Sequence, residues 1–295
     1  YKYLRSKPLP QSDLDEALEL GKHLHELSFQ SLAFLDVLSE NLENPNATPT
    51  QLLMLLSLLA RFSHFPATFR STCAKVCQED VDNTGLASLS TDELVEAFNV
   101  HLCAVFDGPA ALKLWLTEDE AMRTFFQVHT SQKWYQRQEE ERSAFLQSDT
   151  FAMLKEAMQD AGLDVRPSDL GEVYHVEFVS SDSKERLTSS SASPPIAIVC
   201  IKSKEQLRWY VPITAEQLPD DQQLTNRCNA FKLVFSGAVQ KLRHLQAMGY
   251  RTVPIWMNEW KALQTREQRA QHIRDAVNTP TRVAFSPNSQ VAAYD

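Results

Sequence analysis

Glycine is scarce in this chain, with seven in 295 residues, against a usual share of about 7%. That shortage argues against a fold rich in tight hairpins and against a glycine-rich phosphate loop. Cysteine is equally uninformative as a framework: Cys73, Cys77, Cys103, Cys200 and Cys228 are odd in number, lack CxxC pairing and have no clustered histidines. They read as reduced thiols. Cys73 and Cys77, one helical turn apart, read as two small apolar side chains on a helix face, and at most as half of a metal site. No apolar run approaches the ~20 residues that span a bilayer. The most apolar stretch, residues 52–60, has the length of a buried helix. A positive surplus is missing too: the net charge is -9, which counts against a protein coated all over in phosphate contacts.

What is present is an ordinary globular composition, 43% hydrophobic and 23% charged, in a chain long enough for one large or two ordinary domains. The charge is unevenly spread. Residues 1–170 hold 14 Lys and Arg against 26 Asp and Glu, whereas residues 171–295 hold 15 against 12, so the two parts carry -12 and +3. The acidity belongs to the first part alone.

That first part reads as helices. Leu14, Leu18, Leu24, Leu27, Leu32, Leu35 and Leu38 recur at near-helical spacing. Thr48-Pro49-Thr50-Gln51 resembles a helix start before the apolar residues 52–62, and Ser90 with Glu93 fits a capping box. These two starts lie about 41 residues apart in similar phrases, a period that suits a helical-hairpin repeat but that two amphipathic helices can also show by chance. Further helices are expected at 110–116, 118–128, 136–146 and 150–162. The charged stretch 137–142 reads as a solvated helix face.

Beyond Pro167 the period changes to that of strands. Residues 173–179 alternate, 196–201 form a continuous β-branched run and 207–213 a third expected strand, with a long polar loop at 180–195. A helix over about 235–248 is expected to close at Gly249, a strand over 250–256 follows, then helices at 257–263 and 265–277, the last capped by Thr265 and Gln268. The fold class expected is α+β: an all-α, repeat-like array over 1–168, a small α/β domain over 169–279 and a tail over 280–295.

Cations and rings meet in this second part. Lys241, Arg243 and His244 are nearly consecutive on one helix, with Arg251 just past its end and Lys261 farther on, a set suited to a phosphate backbone. Tyr250, Trp256 and Trp260 offer flat faces for unstacked bases. Tyr250 and Trp256, on a strand, read more readily as core, and Trp260 is open to either role. His244 shows no Ser, Cys or Asp partner at a spacing that suggests a triad, so it is not read as catalytic.

The segment 237–263, GAVQKLRHLQAMGYRTVPIWMNEWKAL, resembles the C-terminal motif of RAP domains through Gly237, Lys241, Arg243, His244, Leu245, Gly249, Tyr250, Glu259, Trp260 and Leu263. Residues 171–183 and 195–203 are similar to that domain's first two strands. The preceding array is only generically similar to the repeats of the FAST kinase domain-containing family. The resemblance implies an organellar RNA-binding protein, mitochondrial more than plastid, with a fold like the PD-(D/E)xK nucleases. In that frame Glu177 falls where the first acid lies and Lys202 matches the strand-ending lysine, but Cys200 stands where the second acid is expected. A thiol is a poor ligand for a hard divalent ion. The expectation is therefore a non-catalytic protein without cofactor or metal. It binds organellar rRNA as a mitochondrial ribosome component or assembly factor in the matrix, its acidic array meets neighbouring proteins, and nothing inserts into a membrane. A free transcript-specific factor and a metal-dependent RNA endonuclease are the alternatives.

Overall fold

The computed structural model describes residues 9–26, 32–82, 89–167, 173–180, 194–201, 206–207, 233–234 and 236–279. The array begins with α1 (Gln11–Glu26), α2 (Leu32–Glu40), a 3-10 turn (Asn41–Glu43), α3 (Pro49–Arg61), α4 (Phe69–Asp82) and α5 (Thr91–Asp107). It continues with α6 (Ala110–Glu118), α7 (Glu120–Thr124), a π-helical segment (Phe125–Thr130), α8 (Ser131–Leu146) and α9 (Asp149–Asp160). The expected capping box of α5 forms, and the expected helix start at Thr48 proves to be a capping box with Gln51 as well. The two helices then pack side by side, and Thr50 donates a hydrogen bond to Glu93 at 2.8 Å. Leu52, Leu55, Leu56 and Leu59 are enclosed by residues of α1, α2, α4 and α5, because α3 has too few polar positions to face water.

The sheet has the order β1-β2-β3-β6, built from β1 (Val165–Pro167), β2 (Phe178–Ser180), β3 (Ile196–Ile201) and β6 (Arg251–Trp256). β1, β2 and β3 pair antiparallel, and β3 pairs β6 in parallel from Ile196 opposite Arg251 to Ile201 opposite Trp256. A parallel pair needs a crossover, and α10 (Ser236–Ala247) lies on it. Pro254 is tolerated because β6 is an edge strand among the described residues. A separate pair, β4 (Gln206–Leu207) with β5 (Leu233–Val234), is antiparallel. α11 (Met257–Ala262) and α12 (Arg266–Asn278) close the described chain, α12 with its expected Thr265/Gln268 box.

Strand alternation splits the sheet's two faces. Ile198, Val253 and Ile255 pack with Phe178, Trp260 of α11 and Ile273 of α12, together with Leu154, Ala157 and Met158 of α9. Ala197, Val199 and Ile201 pack under Ala238, Leu242 and Leu245 of α10. Burial on both faces is why β3 reads as an unbroken apolar run. The core on the α9 side thus draws on residues before 168, the boundary expected from the change of period.

Two strand expectations need correction. Residues 173–177 are not a strand, and pairing begins only at Phe178. Their alternation misleads because Tyr174, His175, Val176 and Glu177 are all buried in succession: Tyr174 and Val176 pack in two separate clusters, and His175 sits 5.7 Å from the Phe145 ring. Second, the expected strands do not include β1, which Val165–Pro167 forms at the edge of the described sheet. Of the expected strand at 207–213 only Leu207 is described, and the loop at 181–193 lies outside the described residues. No described helix is long and apolar enough to cross a membrane.

Candidate nucleic-acid interface

The expected RNA-gripping helix, α10, is an internal layer. One side covers β3 and β6, and the other meets α1, α3 and α5 of the array. A fourth apolar cluster seals this junction, with Val95, Phe98 and Leu102 of α5, Trp134 of α8 and Tyr174, backed by Phe106 and Met248.

Within that junction, α5 sets the chemistry. It runs from the Ser90 cap to Asp107 and stops at Gly108-Pro109. A β-carbon on Gly108 would lie 2.3 Å from the Ala104 carbonyl oxygen, so this closure needs glycine. The turn leaves Asp107 at the carboxyl end of α5, where an acid opposes the helix dipole. Two donors from α10 offset that. Arg243 donates through Nε to Oδ1 at 2.8 Å and through a second guanidinium nitrogen to Oδ2, and His244 Nε2 lies 3.0 Å from Oδ2. The other ring nitrogen, Nδ1, is 2.6 Å from the Tyr174 hydroxyl.

With Asp107 ionised, the network assigns the imidazole its proton on Nε2, donated to the carboxylate, while Tyr174 donates to Nδ1. Burial pushes Asp107 up, but the hydrogen bonds from His244 and Arg243 outweigh it and leave its pKa lowered. Burial holds His244 below its ordinary value, against the pull of Asp107. Burial also raises Tyr174 well above the usual phenol range and pushes the Cys103 thiol up to about 12. Beside this chain of bonds, Gln240 donates to Asn99 at 2.6 Å, Trp134 Nε1 to the Val173 carbonyl at 2.5 Å and the His175 amide to Gln138 at 2.6 Å.

The sequence-predicted residues therefore separate. His244, 0% exposed, and Trp260, 1% exposed, lie inside the fold, which corrects their expected place against RNA. Arg243 is spent on Asp107. Tyr250 and Trp256 are half-buried and pack with the α10 side of the sheet, the core role left open for them. Lys241 and Arg251 are half-buried and Lys261 is exposed; none of the three forms an ion pair with a described residue. Glu177 is buried, with Oε2 lacking a hydrogen-bond partner. Cys200 is half-buried, and Lys202 lies outside the described residues.

His244 does have an aspartate partner, 137 positions away in sequence, where spacing gives no hint of it. An acid at a helix end beside Gly-Pro was the one available signal for Asp107. Nothing comparable marked Tyr174, Gln240 or Asn99. The ligand atoms of Cys103, Asp107 and His244 lie within 4.8 Å of one another. As a metal set they fit poorly: the carboxylate is held by a guanidinium, both ring nitrogens are engaged and the thiol is held protonated. The tyrosine is enclosed as well, at 6% exposed.

No curated protein matches this chain. The family model of the RAP domain matches residues 233–276, the stretch that contains α10, β6, α11 and most of α12. This chain therefore carries a RAP domain, and a RAP domain suggests RNA binding.

Proposed function

We propose that the protein is a non-catalytic RNA-binding protein of the mitochondrial matrix, acting on rRNA as a component or assembly factor of the mitochondrial ribosome. The observation that supports this most is the RAP match over residues 233–276. Of the cations singled out in the sequence, Lys241, Arg251 and Lys261 form no ion pair with a described residue and are the described ones best placed to meet phosphate. Each such contact releases counterions and steepens the salt dependence of binding. The acidic array, which makes up nearly all of residues 1–170 with their charge of -12, repels phosphate and suits protein neighbours. Crosslinking in organelles followed by sequencing tests the assignment: rRNA reads dominate if it is right, and reads from a single messenger would place the protein with transcript-specific factors.

One observation favours a rival reading, a metal-dependent endonuclease on a nuclease-like fold. Glu177 buries a carboxylate oxygen without a partner, and such an oxygen is suited to a divalent ion. Cys200, which takes the second acid's place, is a poor ligand for that ion, and one carboxylate does not assemble the site. Incubating the full chain with labelled RNA and Mg²⁺ or Mn²⁺ decides between them. Cleavage that disappears in Glu177→Ala would establish the endonuclease.

A further inference from the structure

We propose that Asp107 is a positioning residue for RNA binding: without touching RNA, it fixes how the RAP domain sits on the helical array, acting through Arg243 and His244. The inference rests on the RNA-binding reading above. It starts from the placement of α10, which is pressed between the sheet and three array helices. Apolar contact alone is non-directional, so a leucine-lined surface leaves a helix several nearly equivalent rotations and shifts. A buried, bidentate ion pair has one geometry, and registry is the best-attested use of such pairs.

Asp107 is the point where the constraints meet. Its side chain is 8% exposed, and it holds both Arg243 and His244. Through His244 it reaches Tyr174, in the segment that leads into β2. A second fastening, Gln240 to Asn99, lies about one turn earlier on α10 and two turns earlier on α5. Two fastenings separated along both helices fix rotation and translation together. Lys241 lies between these fastenings on α10, and Arg251 begins β6 four residues after α10 ends. Any slip of α10 therefore moves the cations assigned to phosphate.

The test uses the full chain and Asp107→Asn, which keeps size and an acceptor but removes the charge, with circular dichroism to establish that the variant is folded. Two quantities are read: affinity for a labelled single-stranded RNA across a salt series, and amide hydrogen exchange. The expected result is binding weaker by about tenfold with an unchanged salt slope, and faster exchange in α10 and residues 173–177 but not in α3. Lys261→Glu is the contrast, with a shallower salt slope and unchanged exchange. Wild-type affinity and exchange in Asp107→Asn would overturn the proposal. Tighter binding would overturn it too, since Asp107 would then be competing with phosphate for Arg243. If the wild-type chain binds no RNA while α10 exchange still quickens in the variant, the RNA-binding reading fails and the docking role of Asp107 stands.

Discussion

A polar side chain acts on solvent or ligand only if its neighbours leave it free to, and α5 carries an instructive case in His101. It stacks on Phe126 at 5.1 Å and lies 5.5 Å from Phe98, with Nδ1 buried and lacking a partner. Burial lowers its pKa to about 4, whereas an unfolded chain titrates near its ordinary value of about 6.5. Between those two pH values the unfolded chain binds a proton that the folded chain does not. Stability therefore falls as pH drops through that window and is unaffected by this group at pH 7 and above. The full effect, at about 1.36 kcal/mol per pH unit, is on the order of 3 kcal/mol. In His101→Leu, the loss of unfolding free energy between pH 6.5 and 4.5 should be smaller than in the wild type, as read by denaturant titration at each pH. Equal slopes in the two proteins would mean that the ring is solvated or paired in solution.

At the scale of elements, the end of α5 governs the most with one residue. Gly108 has an ordinary φ of -68°, so what it supplies is room: any β-carbon there meets backbone that cannot swing aside. Gly108→Ala should unwind the last turn and displace Asp107, costing roughly 1–3 kcal/mol as overpacking does and raising α10 exchange as well. A thermal melt and exchange pattern like those of the wild type would refute this. Such local features were the legible part of the sequence. The boxes at Thr48, Ser90 and Thr265 are bonds across three residues, and helical period needs only one helix, so residue order carries both. The inward turn of Arg243 and His244 was not legible. Their pattern of cations on a helix is the same whether the partner is a phosphate or a carboxylate, and that carboxylate is 136 positions from Arg243. Alternation at 173–177 failed for a related reason, since two different neighbours bury its two sides.

At the scale of the whole molecule, the question is where one folding unit ends. A boundary near 168 follows the change from helical to strand period, yet the sheet's core crosses it. Leu154, Ala157 and Met158 of α9 are at most 1% exposed and pack with Phe178, Ile198, Val253, Trp260 and Ile273, while β1 pairs with β2. At about 1.5–3 kcal/mol per fully buried large side chain, removing α9 forfeits roughly 5 kcal/mol. That is comparable with the whole stability of an ordinary domain, about 5–15 kcal/mol. A fragment of residues 169–295 should therefore show no cooperative melt, with its tryptophan fluorescence shifted toward that of solvated indole as Trp260 is uncovered. A fragment of residues 147–295 regains α9 and β1 and should melt cooperatively, but below the full chain, because α10 still lacks Asn99 and Asp107 opposite it. Equal, cooperative melts for the two fragments would show that the α9 contacts contribute little and that the sheet is closed without them.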